Sequence, residues 1–360
     1  VENMVNIFDF YKGKRILVTG HTGFKGTWLC EMLTYLGADV TGYALKPKSK
    51  PNLFDLTHID ERIKSVIGDI RDIKNLEQVF HTVQPEIVFH LAAQPLVRES
   101  YKEPVETYEI NVMGTVNVLE CIRKTSCVKS FLNVTTDKVY ENKEWCWGYR
   151  ENEPLDGFDP YSNSKSCSEL VTHSYKKSFF NNSNVAISTA RAGNVIGGGD
   201  FAEDRIIPDC FRYIEKNEPI LVRNPYSIRP YQHVLEPLFV YLVIAAGQYN
   251  DIKYEGYYNV GPDECDCINT GELVSLFCNE WGDDASWKNC YVDGPHEATF
   301  LKLDCSKIKS VFGWKPRWNI EEAIKKTVKW KKEILNGKNS SEILEIQISE
   351  FLQRKKSERN

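Results

Sequence analysis

Short apolar runs alternate with helical periodicity through the first half of the chain. Arg15-Ile16-Leu17-Val18-Thr19 reads as a buried strand, followed by a glycine-rich turn and a helical stretch to about Leu36. Val40 to Leu45, Glu86 to Leu91, Phe131 to Thr135 and Val185 to Thr189 are further strand patterns, and Ser65-Val66-Ile67 leads into Gly68-Asp69-Ile70. Helical periodicity fills Val105 to Arg123 and Tyr161 to Phe180. Apolar strands separated by helices predict βαβ units and a parallel sheet covered on both faces. The expected fold class is α/β, with a doubly wound Rossmann domain over residues 1–193.

Beyond Asn194 the rhythm changes. Pro208, Pro219, Pro225, Pro230 and Pro237 punctuate shorter elements. They predict a smaller mixed α/β C-terminal substrate lobe over 194–340, with some segments returning to the first domain. Ile320 to Leu335 reads as a helix, and 341–360 as a terminal helix or tail. Lys325, Lys326, Lys329, Lys331 and Lys332 read as a solvated helix face. No internal repeat interrupts this pattern.

Composition narrows the picture. The 360 residues are 42% hydrophobic and 26% charged, which describes a globular chain long enough to bury a substantial core. No apolar run approaches the roughly 20 residues needed to cross a bilayer, so no membrane partner is expected. Forty-five basic and 50 acidic residues give −5, which argues against bulk nucleic-acid binding. Eleven cysteines are scattered without zinc spacing, and the first residues carry no secretory pattern. The expectation is reduced thiols, a cytoplasmic address and no metal. Cys30, Cys121 and Cys167 read as small core residues.

The first candidate chemistry is Gly20-His21-Thr22-Gly23-Phe24-Lys25-Gly26, placed where the first strand ends and a helix begins. Glycines there let the backbone turn tightly and approach a pyrophosphate, whose charge a helix N-terminus favours. The spacing is G-x-x-G-x-x-G rather than G-x-G-x-x-G. The second strand ends Gly42-Tyr43-Ala44-Leu45-Lys46, without the acid that often binds the adenosine ribose of NAD. Lys46, Lys48 or Lys50 would suit a 2′-phosphate or are plain loop lysines, so NAD and NADP both stay open. Asp69 and Ile70 fall near the adenine, and Leu91-Ala92-Ala93-Gln94 suits close cofactor approach.

Tyr161-Ser162-Asn163-Ser164-Lys165 sets a phenol and an ammonium one helical turn apart. A phenol of pKa about 10 is a poor base at neutral pH. A nearby ammonium and a cationic nicotinamide would favour the phenolate, letting Tyr161 take a proton from a sugar hydroxyl. Alone, such a pair is often a surface pair. Here it follows a glycine turn and Thr135-Thr136 at a strand end.

In that order, with Asn111 between, these residues resemble the extended short-chain dehydrogenase/reductase family. Longer runs resemble its CDP-glucose 4,6-dehydratases, from about Lys12 to Trp330: Ala93 to Arg98, Asp137-Lys138, Asn142 to Trp145, Gly148 to Asn152, Arg191 to Asp200, Ile228-Arg229-Pro230, Gln232 to Pro237 and Pro295 to Ala298. The resemblance implies an NAD-dependent lyase acting on CDP-glucose in deoxysugar synthesis. It would oxidise C4, eliminate water across C5–C6 and return the hydride to C6. Tyr161 would deprotonate the C4 hydroxyl, Lys165 would hold its pKa down and Thr136 would bond the same oxygen. Asp137 would protonate the departing C6 hydroxyl.

Lys138 stands where related dTDP-glucose dehydratases carry a glutamate. A lysine of ordinary pKa is neutral in about one molecule in 2,500 at pH 7, a cost of ~4.6 kcal/mol. Lys138 is therefore either the C5 base or a cation stabilising the enolate. The cofactor set is Gly20, Thr22, Gly23, Phe24, Lys25, Gly26, Asp69, Ile70, Leu91, Ala92, Ala93, Gln94, Thr135, Tyr161 and Lys165. Arg229 is the first choice for clamping the diphosphate. Asn194, Arg205, Arg223 and Gln94 are further substrate contacts, with His296 and Glu297 at the nucleotide end. Trp145, Trp147 and Tyr149 are either sugar-pocket walls or packing. The resemblance also implies a homodimer through the 105–123 and 161–180 helices. Nucleotide-sugar 4-epimerases share this set except for the acid at 137. Dehydratases of dTDP-glucose or GDP-mannose share the acid, and spacing does not read the base.

Overall fold

The computed structural model describes residues 6–282, 284–290 and 301–353. Its frame is a seven-stranded sheet. In chain order the first six strands are β1 (Arg15–Thr19), β2 (Asp39–Ala44), β3 (Lys64–Ile67), β4 (Ile87–His90), β5 (Ser130–Thr136) and β6 (Ala186–Ala192); the seventh is Tyr257–Val260. They lie in the order seventh-β6-β5-β4-β1-β2-β3, and every neighbouring pair is parallel. All seven strands therefore end on the same edge. The order reverses between β1 and β4, the switch point where doubly wound sheets bind ligands.

Alternation along the strands splits the core in two. Ile16, Val18, Leu132 and Val134 pack with Trp28 and Leu29 of the helix Phe24–Tyr35 and with the helix Leu235–Asn250. Leu17, Val88, Phe131 and Ile187 face the other way, onto the helices Ile73–Val83, Gly114–Arg123 and Pro160–Tyr175. The Val105–Arg123 stretch forms as expected, with a π-helical turn at Glu109–Met113. A third core, built on the helices Ile206–Glu215, Thr270–Trp281 and Ile320–Leu335, makes the smaller C-terminal lobe.

One stretch departs from the expectation of short elements after Asn194. Leu235–Asn250 is a 16-residue helix despite Pro237, because a proline in the first turn has no hydrogen bond to lose. It is apolar on every side and buried almost throughout, so no amphipathic stripe marks it. It belongs to the sheet: Ser130 Oγ donates to Ala245 O at 3.0 Å, and the Gln248 amide donates to Phe131 O at 3.0 Å. The terminal helix Ser340–Gln353 packs back on Phe24–Tyr35. The lysine face is engaged in part: Lys331 pairs with Glu215, and Lys326 with Glu322 and Glu350. Among the described residues no helix is long and apolar enough to cross a membrane.

The glycine run 197–199 is where the two halves meet. Trp28 Nε1 donates to Gly198 O at 3.0 Å, and a Cβ on Gly198 would lie 2.0 Å from Trp330 Cγ. Gly198→Ala should therefore overpack this junction and lower stability by about 1–3 kcal/mol. A urea midpoint unchanged from the parent would disprove the close fit.

Candidate active site

The turn after β1 closes on itself and on β4. Gly20 has φ +79°, and a Cβ there would stand 2.7 Å from Ala92 N; one on Gly26 would stand 2.0 Å from Gly20 O. The Thr19 hydroxyl accepts from Leu91 N and Ala92 N, each at 3.2 Å, which locks the two strand ends together. Gly23 caps the helix Phe24–Tyr35 without a side-chain bond to its first turn. Backbone donors and the positive end of the helix dipole are thus left for an anion. Thr22 Oγ1 donates to Leu45 O at 2.8 Å, tying the turn to the end of β2. His21 is a wedge under it, 2.7 Å from Ser65 Oγ, and burial lowers its pKa to about 4, so the ring is neutral at pH 7.

These features fit a dinucleotide: the turn would hold its pyrophosphate, and the ends of β2 and β3 its adenosine. Ala44-Leu45-Lys46 lines that end with no acid. Asp69 is already committed, because Arg71 donates to it from Nε at 2.9 Å and from NH2 at 2.7 Å.

The catalytic candidates sit beside the turn. β5 delivers Thr135 and Thr136, and a 3₁₀ turn, Asp137–Val139, follows with Thr136 as its cap. Asp137 is buried; Oδ1 accepts from the Thr136 hydroxyl at 3.0 Å, while Oδ2 has no hydrogen-bond partner among the described residues. Gly193 leaves it room, since a Cβ there would stand 3.0 Å from Oδ2. Burial raises the Asp137 pKa, opposed by Lys138, the Thr136 bond, Arg229 and Lys25. Asp159 caps the helix Pro160–Tyr175 by accepting from Ser162 N at 3.0 Å, which fixes Tyr161 and Lys165 one turn apart.

Burial pushes the Tyr161 phenol up to about 12, and the opposing influences are a Thr136 hydrogen bond and the Arg205 charge. Lys165 Nζ donates to Val134 O at 2.9 Å, and burial draws its pKa down to about 8. Arg205, expected on the diphosphate, pairs with Asp200 at 3.0 Å and acts on Tyr161.

One cavity of about 1990 Å³ brings together every predicted site residue within the described part of the chain, from Gly20 through Arg229. His296 and Glu297 lie outside the described residues. Several side chains are spent elsewhere. Both Gln94 amide donors are used, on Leu96 O and the Thr107 hydroxyl, and Thr135 donates to Glu169. Arg223 pairs with Asp204 at 2.9 Å, whereas Arg229 stays on the cavity wall with one NH1 bond to Ile228 O. Trp145, Trp147 and Tyr149 do not line the cavity; Tyr149 is buried and stacked between Tyr140 and Trp145. Sequence reasoning missed Glu169, although Tyr161, Lys165 and Glu169 repeat every four residues. It also counted Lys25 only as part of the turn, whereas its charge acts on Asp137, Lys165 and Arg205.

A parallel sheet with a glycine turn at its switch point and Thr136, Tyr161 and Lys165 beside it defines a short-chain dehydrogenase/reductase. A family model described as GDP-mannose 4,6 dehydratase matches residues 17–327, and the chain belongs to that family. A CDP-glucose 4,6-dehydratase of Salmonella typhimurium is 49% identical over 350 residues, covering 96% of this chain and 98% of the relative. A mouse dTDP-D-glucose 4,6-dehydratase is 28% identical, covering 92% of this chain and 93% of its own. Among solved structures, a Thermotoga maritima UDP-glucose 4-epimerase with UDP-glucose has a TM-score of 0.78 at 22% identity, covering 89% of this chain and 99% of that one. The Bacillus anthracis dTDP-glucose 4,6-dehydratase in complex with NAD has 0.74 at 23%, covering 89% and 97%. These two likenesses speak for the fold.

Gly26→Ala should force the turn open while sparing the core. NAD affinity should fall by about tenfold or more in a fluorescence titration, a loss of ~1.4 kcal/mol or more. Unchanged affinity would remove the pyrophosphate from this turn.

Proposed function

We propose that this chain is a CDP-glucose 4,6-dehydratase, converting CDP-D-glucose to CDP-4-keto-6-deoxy-D-glucose and water. The carrying observation is the 49% identity across 96% of the chain to an enzyme of that name. The buried acid Asp137 beside Tyr161 supports it, since a 4-epimerase has no water to expel. Bound at the glycine turn, NAD⁺ would store the C4 hydride and return it to C6 as a proton goes back to C5, so no net oxidant is consumed.

Tyr161 takes the proton of the C4 hydroxyl, with Thr136 bonded to the same oxygen. The resulting ketone acidifies the C5 hydrogen. Loss of that proton expels the C6 hydroxyl, which leaves as water with a proton from Asp137. Burial raises the pKa of Asp137 and so favours the protonated, donating form. Lys138 serves the same step, as the C5 base when neutral or as a cation beside the enolate. Lys165 keeps a cation beneath the site, anchored on Val134 O. Arg229 and Asn194 hold the diphosphate, and Arg205 tunes Tyr161.

The reading includes a homodimer. Val105, Met113, Leu170 and Phe179 leave large apolar area exposed on the 105–123 and 161–180 segments, as a helix-to-helix interface needs. The eleven cysteines are all unpaired, which fits a reducing cytoplasm.

Incubation with CDP-glucose and NAD⁺ should give a product lighter by about 18 Da with no net NADH. An unchanged mass would overturn the assignment. Asp137→Asn should still oxidise C4 but eliminate about 10²–10⁴-fold more slowly, so reduced cofactor accumulates on the enzyme. Elimination at the parent rate would show that Asp137 is not the acid. Tyr161→Phe should suppress the oxidation itself, and retention of most activity would place the base elsewhere.

A further inference from the structure

The elimination residues sit on a short turn with two ends. Its start is fixed by β5 through the Thr136 cap. Its far end runs directly into Tyr140, which is fully buried and stacked on Tyr149 with ring centroids 5.3 Å apart. The Tyr140 hydroxyl donates to Asn259 Oδ1 at 2.6 Å and accepts from Arg191 NH1 at 2.8 Å. Asn259, on the seventh strand, passes the chain onward by donating to Tyr149 O at 2.7 Å.

Arg191 reaches the other way as well. Its Nε and NH2 each donate to Glu169 at 3.0 Å, and Glu169 lies one turn beyond Lys165 on the helix that carries Tyr161. Thr135 and Thr189 also donate to this carboxylate. Arg191 and Glu169 are both fully buried. One guanidinium therefore fixes the helix of the oxidising residues relative to the turn of the eliminating ones.

We propose that Tyr140 is a positioning residue for the elimination half of the reaction, holding the Asp137–Lys138 turn in register with Tyr161 through Arg191. This rests on the dehydratase reading above. Burial raises the Tyr140 pKa, so its hydroxyl remains a donor to Asn259 throughout the working range. Removing that hydroxyl cuts the turn's tie to Arg191 and Asn259, leaving Ser166 Oγ on Val139 O and leaving Glu169, Lys165 and Tyr161 tied as before. Oxidation at C4 should survive, and proton delivery at C6 should suffer.

The test is Tyr140→Phe with CDP-glucose and NAD⁺, followed by absorbance at about 340 nm and by product mass. Turnover should fall about tenfold with KM changed by less than about twofold, while reduced cofactor accumulates on the enzyme as it does not in the parent. Asn259→Ala, which removes the acceptor of the Tyr140 hydroxyl and leaves the Arg191–Glu169 pair intact, should show the same signature. Parent-like turnover in Tyr140→Phe overturns the proposal. So does a loss of turnover with no reduced cofactor, because a merely structural defect slows both halves alike. If Tyr140→Phe does not fold, Asn259→Ala decides, and if neither folds the network is scaffold and the proposal falls. A parent enzyme that fails to dehydrate CDP-glucose would instead refute the functional reading.

Discussion

The Glu169–Arg191 pair is the constraint on which the site depends. Burial alone would raise the Glu169 carboxyl; the Arg191 charge, His173 at 3.5 Å and hydrogen bonds from Arg191 and Thr135 overrule it and hold the group well below the usual carboxylate range. Such a pair gives little net stability, because desolvating two charges offsets most of their attraction, yet removing one partner alone typically costs about 3–5 kcal/mol. Apolar residues of similar size would fill the same space. What they would not do is orient a helix, two strands and a loop at once, as a forked cation and a four-bonded carboxylate do.

Directly above that pair the strands end, and the ligand chemistry begins. The glycine turn and Thr136, Asp137, Tyr161 and Lys165 share one cavity because β1, β4 and β5 are neighbours whose ends lie on one edge. Burial works in opposite directions on the ionisable groups gathered there. It keeps Asp137 toward its protonated form and Lys165 toward its neutral one, and it holds Tyr161 as a phenol. Additional positive charge entering the cavity would favour the Tyr161 phenolate.

Much of this was legible in the sequence because it is local. The glycine turn, Tyr161 with Lys165, and strands such as Arg15–Thr19 each announce themselves within seven residues. Partners distant along the chain do not. Nothing near Gln94 reveals that Thr107 takes one of its amide protons, and nothing near Thr135 points to Glu169. Nor does the sequence show that Lys165 anchors on a carbonyl while Arg205 acts on Tyr161. The helix Leu235–Asn250 hid for another reason: the periodicity that marks a surface helix is absent when every face is covered.

The seventh strand also sets a schedule for synthesis. The sheet draws its last strand, Tyr257–Val260, and the helix covering one face of β5 and β6 from well beyond the second glycine cluster. As the chain leaves the ribosome, β6 stays an open edge beside bare apolar surface for some sixty further residues, several seconds at ordinary elongation rates of about 5–20 residues per second. A chain stopped near residue 193 would keep that edge and that surface exposed, the condition under which strands pair with the wrong neighbour. The nascent protein thus reaches a closed Rossmann core only after nearly half of its C-terminal lobe has been made.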